Sequence, residues 1–155
     1  MNLKTNLAAL FIAITTFGLI SPTPTAADSS TVPAIILNGF KAWGAKADAS
    51  YAFDIWKKDG VLEYDNKPSK LSGYFKSMDR TIGNFKSYEI IQTKHIGDSS
   101  EVIYLTANFD HAAVYGRFLL YHADKDWVVQ NMDFSVRPEL VMPWLAFQAG
   151  NDSQE

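Results

Sequence analysis

The chain is 155 residues long, with a formal net charge of −3, 47% hydrophobic residues and no cysteine. Those figures exclude intrinsic disorder, a basic nucleic-acid footprint, disulfide staples, thiol catalysis and thiolate metal sites. Setting aside an N-terminal leader leaves 128 residues, enough for one packed domain and too few for two.

The leader spans residues 1–27. Met1 to Asn6 carries Lys4 and no acid, Leu7 to Ile20 is apolar but for Thr15, Thr16 and Gly18, and Thr25-Ala26-Ala27 offers small residues for cleavage before Asp28. This is the pattern of a secretory signal peptide. The apolar run is 14 residues, against about 18 or more for a membrane span, so an uncleaved anchor is the lesser alternative. Cleavage takes the net charge to −4 and predicts an exported, periplasmic or extracellular protein with no membrane segment. Residues 28–32 read as a short disordered lead, 33–147 as the domain and 148–155 as a disordered tail.

After Pro33, a favourable first helical residue, Ile36, Phe40, Trp43 and Ala47 fall three and four apart and predict a helix with one buried face. Asp48 is placed to cap a second helix carrying Tyr51, Ala52, Ile55 and Trp56, ended by Gly60. Val61 to Tyr64 suits a small strand and Asp65 to Lys70 a polar loop. A third helix follows, with Ser72 as its cap and Phe75, Met78, Ile82 and Phe85 as its stripe.

Past Phe85 the period changes to two. Strands are predicted over 87–96, 101–109, 114–122 and 127–136, and their short connections imply an antiparallel meander. With turns centred on His111-Ala112 and Asp124-Lys125, one face carries Ile103, Leu105, Ala107, Phe109, Val114, Gly116, Phe118, Leu120, Trp127, Val129, Asn131 and Asp133. This face is assigned to the helices. The opposite face carries Tyr104, Tyr115, Arg117, Leu119, Tyr121, Val128, Met132 and Phe134, among others. The register of strand 87–96 stays open.

Three helices, a short strand and a long antiparallel meander resemble the NTF2-like, or cystatin-like cone, superfamily, which includes the SnoaL-like proteins. Asp59-Gly60-Val61-Leu62 followed by Leu71-Ser72-Gly73-Tyr74-Phe75 is similar to that group's strand, loop and third helix. Leu119-Leu120-Tyr121 and then Trp127-Val128-Val129 resembles its penultimate hairpin. The resemblance implies an α+β fold in which N-terminal helices pack on a curved antiparallel sheet around a conical pocket. Members range from isomerases and dehydratases to binding and assembly domains, so the fold settles no function.

The resemblance also implies a test. The ketosteroid isomerase type of that cone uses a carboxylate base, a Tyr and a protonated Asp. Glu63 and Asp65 lie near the base position, but Phe40 and Ala113 stand where the two donors belong, so an enolate would be unsupported. A different pocket chemistry would use Asp133, with Asp65, as a desolvated general base beside Phe118. Alternatively Asn131 and Asp133 are solvated at the open rim.

A ligand pocket is expected from Tyr51, Asp54, Phe118, Trp127, Asn131 and Asp133, sized for a small apolar molecule. Closure of the cone by Trp43, Trp56 and Trp127 would argue for assembly instead. His95, His111 and His122 show no zinc-type spacing, no phosphate-binding or nucleophile-elbow motif occurs, and neither metal nor cofactor is expected. Tyr104, Leu119, Tyr121, Val128, Met132 and Phe134 predict an apolar patch that a homodimer would bury. The alternative is that Leu140 to Phe147, with Trp144, folds back over the same face.

Overall fold

The computed structural model describes residues 32–144. The expected leader, its expected cleavage site and the expected tail lie outside the described residues.

Helix α1 spans Ala34–Lys46, opens after Pro33 and buries Ile36, Phe40 and Trp43, the spacing read from the sequence. It ends at Ala47, which adopts a left-handed conformation. Helix α2, Ala49–Trp56, is capped by Asp48, whose carboxylate accepts the Ser50 N–H at 2.8 Å. Gly39 is the point of closest approach between the two helices: the Trp56 indole lies where a side chain would stand, and its Nε1–H donates to Ile36 O at 3.4 Å.

Two local expectations fail. Val61–Tyr64 forms a 3-10 turn rather than a strand. Helix α3, Lys67–Ile82, begins five residues before Ser72 and takes in most of the expected loop. Asp65 starts it, its carboxylate accepting the Lys67 N–H at 3.0 Å. Pro68 then falls in the first turn, where an absent N–H has no helical bond to lose.

Strands β1 (Phe85–Ile96), β2 (Ser100–Phe109), β3 (Ala113–Ala123) and β4 (Asp126–Ser135) form one curved antiparallel sheet in the order β1-β2-β3-β4. The architecture is α+β, with the helices packed on one face and the sheet not closed into a barrel. The β2–β3 turn centres one residue earlier than expected, so each partner shifts by two residues, an even displacement that leaves every side chain on its assigned face.

The β3–β4 pairing does not. Leu120 pairs with Val129 but Leu119 pairs with Asn131, so Gln130 is an extra residue, a β-bulge. Beyond it the parity of β4 inverts. Met132 pairs with Phe118 and Phe134 with Gly116, both on the helix-facing side, while Asn131 and Asp133 turn to the outer face beside Leu119 and Arg117. The expected faces of these four residues are therefore reversed. Strand β1 slips in the same way between Ile90 and Gln92, which settles its open register: Tyr88, Ile90, Thr93 and His95 share the inner face.

The interior of the sheet is filled. Phe40, Phe53, Trp56, Phe75 and Phe118 are each at most 2% exposed, and Trp43 only 4%. Their rings interlock edge to face, with Trp56–Phe118 centroids at 4.8 Å, Trp43–Phe75 at 4.8 Å and Phe118–Phe134 at 5.5 Å. Offset and perpendicular contacts of this kind add to the burial of large apolar surface.

The outer face is not the free patch expected. A 3-10 turn over Pro138–Leu140 returns the chain across it. Val141 and Met142 are buried in a cluster with Val102 and Tyr104. Trp144 stands edge-on to Tyr104 at 4.5 Å. Of the six residues expected at a dimer interface, Met132 is fully buried and Phe134 packs into the core, because of the bulge. Tyr104 and Leu119 lie with the returning segment, and Val128 is 9% exposed, close beneath Gly60. Tyr121 alone is substantially exposed, at 40%.

Candidate binding site

The six residues expected to line a pocket do not converge. Phe118 belongs to the aromatic core. Tyr51 is exposed on α2, where the Lys46 ammonium sits 5.7 Å from its ring, and Asp54 pairs with Lys57 at 2.6 Å. Asn131 and Asp133 come together, but on the outer face. There the Lys67 ammonium, reaching from the start of α3, donates to Asn131 Oδ1 at 2.6 Å and Asp133 Oδ1 at 2.8 Å. Arg117 donates to the other Asp133 oxygen at 2.6 Å.

This arrangement corrects the expected chemistry of Asp133. Burial pushes its carboxyl up, but hydrogen bonds and charge from Lys67 and Arg117 outweigh burial and hold it below its ordinary value. A general base working near neutrality needs the opposite shift. Asp65, the second candidate, caps α3. Both carboxylates tie α3 in place: one starts the helix and the other anchors its first residue to β4.

Trp127 is placed differently. It pairs with His122 at the start of β4, its ring 5.1 Å from the imidazole, and lines a cavity of about 650 Å³. The cavity lies among the first turn of α1, the end of α2 and the β3–β4 turn, beside the filled aromatic core. Ile35, Ile55, Val128 and Trp127 give it an apolar lining. Lys58, Asp59, Asp124, Lys125 and Asp126 give it a charged one. Asp59 and Asp124 both have positive φ, at 59° and 44°, a conformation that Asp tolerates better than most residues. A second cavity of about 580 Å³ shares Asp59 and Val128 with the first and continues toward Tyr64, Tyr121 and Glu63. Both volumes fall within the range typical of small-ligand sites.

One row deeper on the inner face, beside Leu120, stands Glu101. It is 1% exposed, and its Oε1 has no hydrogen-bond partner. Burial pushes its carboxyl up, and the field of His95, its cross-strand neighbour, offsets this only in part. Thr93 lies on the same face, and its hydroxyl is likewise buried without a partner. An unpartnered buried polar group costs about 1–3 kcal/mol, more when charged. Two on one face make this the least satisfied region among the described residues. Sequence reading placed Glu101 at the first position of strand 101–109, next to the polar run Gly97-Asp98-Ser99-Ser100, and assigned it to neither face. The signal available was its even spacing from Ile103 and Leu105.

Among the described residues no group of three His, Asp or Glu side chains is placed to hold a metal ion, and no helix is long and apolar enough to cross a membrane. Comparison with protein-family models, with curated proteins and with solved structures finds no match for this chain.

Proposed function

We infer that the chain is an exported, NTF2-like binding domain that carries out no chemistry in its cone and recognises its ligand in the cavity lined by Trp127. The filling of the cone by Trp43 and Trp56 removes a catalytic hollow and by itself would favour assembly; the separate cavity lined by Trp127, which does not join that filling, carries the binding reading. Where an enzyme of this architecture needs a hollow with converging acid, base and oxyanion donors, this chain stacks Phe40, Trp43, Trp56 and Phe118. The carboxylate best placed by sequence for proton transfer is clamped by two cations on the opposite face. The superfamily reading is supported by the order of three helices and a curved four-stranded antiparallel sheet. Export is supported by the leader alone: Lys4, the apolar run and the small residues before Asp28.

The test is to recover the protein from the exported fraction, sequence its N-terminus and weigh it by native mass spectrometry. The expected product begins at or near Asp28 and carries a small molecule, lost on denaturation. A product retaining Met1 in the membrane would overturn export. A ligand-free protein found only as a stoichiometric oligomer would move the reading from binding to assembly.

A further inference from the structure

Resting on the binding reading above, we propose that the ligand is an uncharged saccharide chain, held in the second cavity against Tyr64 and Tyr121 and continuing toward Trp127 in the first. The 3-10 turn builds one wall. Residues three apart in such a turn eclipse one another, so Val61 and Tyr64 stand on one edge while Leu62 is buried. Tyr64 is 92% exposed, the most of any large apolar side chain among the described residues. Gly60 lets the turn lie close against β4: a Cβ there would stand 3.1 Å from Val129 O and 3.3 Å from Val128 Cβ. Val128 lines the same cavity beside its cross-strand partner Tyr121, itself 40% exposed. Gln130, the extra residue of the β4 bulge, also lines it, and re-aiming a side chain at a site is a common use of a bulge.

The lining selects the chemistry. Tyrosine rings left to solvent in a hollow offer broad apolar faces with a polar tip. Between them the polar groups are rich in acceptors: Asp59 and Glu63 only accept, and Gln130 accepts through its amide oxygen. The matching ligand has apolar faces and many donors. A sugar ring has both, with C–H bonds on its faces and hydroxyls around its rim, and a carboxylate receives hydroxyls in charge-assisted bonds. A proline-rich segment also docks on aromatic grooves, but its prolines carry no N–H for these carboxylates. An anion would meet Asp59 and Glu63 with no lysine in the lining of this cavity. The two cavities share Asp59 and Val128, and each is of small-ligand size, so together they suit a chain of rings.

The experiment titrates the exported protein with maltotriose, cellotriose and triacetylchitotriose, and with trigalacturonate and octaproline as controls, followed by calorimetry. At least one neutral trisaccharide is expected to bind with a Kd of about 1 mM or tighter, and at least about tenfold more tightly than trigalacturonate. Its affinity should be the same at about 50 and about 500 mM NaCl, because an uncharged ligand has no ionic attraction to screen. Tyr64→Ala and Tyr121→Ala should each weaken it at least about threefold, whereas Tyr64→Phe keeps the ring and the affinity. Glu63→Gln should weaken it by a similar factor. Glu63 and Tyr64 are exposed, so these variants fold, which circular dichroism checks. Affinity untouched by both alanine variants would overturn the placement on the tyrosines. Preference for trigalacturonate, or for octaproline, would overturn the uncharged saccharide in favour of an anion or a peptide. Failure of every trisaccharide would overturn it as well, and native mass spectrometry then separates the two readings: a co-purified molecule of another class leaves binding standing, and none removes both.

Discussion

Two carboxylates pull the stability of the fold in opposite directions. Asp110 is held down to about 2, chiefly by the Lys86 ammonium at 2.7 Å and the Asn84 N–H at 2.7 Å. Its folded value lies below its unfolded one, so its contribution is complete above about pH 4 and is lost as the pH falls toward 2. Glu101 is the reverse. Its folded form holds the proton more tightly than the unfolded chain, so deprotonation at rising pH weakens the fold. Urea midpoints measured from pH 2 to 8 should show the acid limb flattened in Asp110→Asn and the decline toward neutral pH flattened in Glu101→Gln. Equal profiles in wild type and both variants would contradict these assignments. At Gly39 the constraint is steric: a methyl group would overlap the Trp56 indole, which is fully buried and has little room to yield. Gly39→Ala is expected to destabilise by about 1–3 kcal/mol, the usual consequence of overpacking. Thermal unfolding measures it, and an unchanged midpoint would show that α1 and α2 can slide apart.

At the scale of the element, the informative one is β4. Its helix-facing residues are the odd-numbered Trp127 and Val129 and then the even-numbered Met132 and Phe134, with Gln130-Asn131 between them. That break is the mark of a bulge, and reading it as unbroken alternation sent Asn131 and Asp133 to the core and Met132 and Phe134 to solvent. The order of the elements and the stripes of α1 and α2 were legible because each rests on local periodicity. The start of α3 was not, since Asp65-Asn66-Lys67-Pro68 has loop composition and becomes a helix start only through one side-chain cap. The pocket failed for a related reason: whether Trp43 and Trp56 line a hollow or fill it depends on packing between helices, which no spacing records. Phe118 sits where β3, β4, α1 and α2 meet, its ring centroid 6.4 Å from Phe40 and 4.8 Å from Trp56. Phe118→Ala should therefore cost about 3–5 kcal/mol in chemical denaturation. A loss below about 1 kcal/mol would mean that the core closes over the gap.

For the molecule as a whole, the outer face is partly covered by the protein's own C-terminal return, the alternative to a dimer that the sequence left open. Met142 is 2% exposed there, against Val102 and Tyr104. Met142→Glu would place a charge in that contact, so the return should lift away and expose tyrosine and valine on the sheet. The expected result is a folded protein that binds a hydrophobic dye and gains mass in light scattering, while far-ultraviolet circular dichroism is preserved. A variant that stays monodisperse and binds no dye would show that the return contributes little to shielding the face.

Among the described residues the sheet is open, and no strand pairs with the outer border of β1 or of β4. The register slips fall only on pairings that involve these two strands: Phe85/Ser87 and Ile90/Gln92 in β1, Gln130 in β4, and none between β2 and β3. A straight border is a template on which another chain can extend the sheet, and a kinked one is a poor template. The bulge that turned Asp133 outward thus has a second effect, on what the protein avoids. Two irregular margins discourage neighbouring copies from joining strand to strand, in a chain with no cysteine to form a disulfide and, among the described residues, no closed barrel.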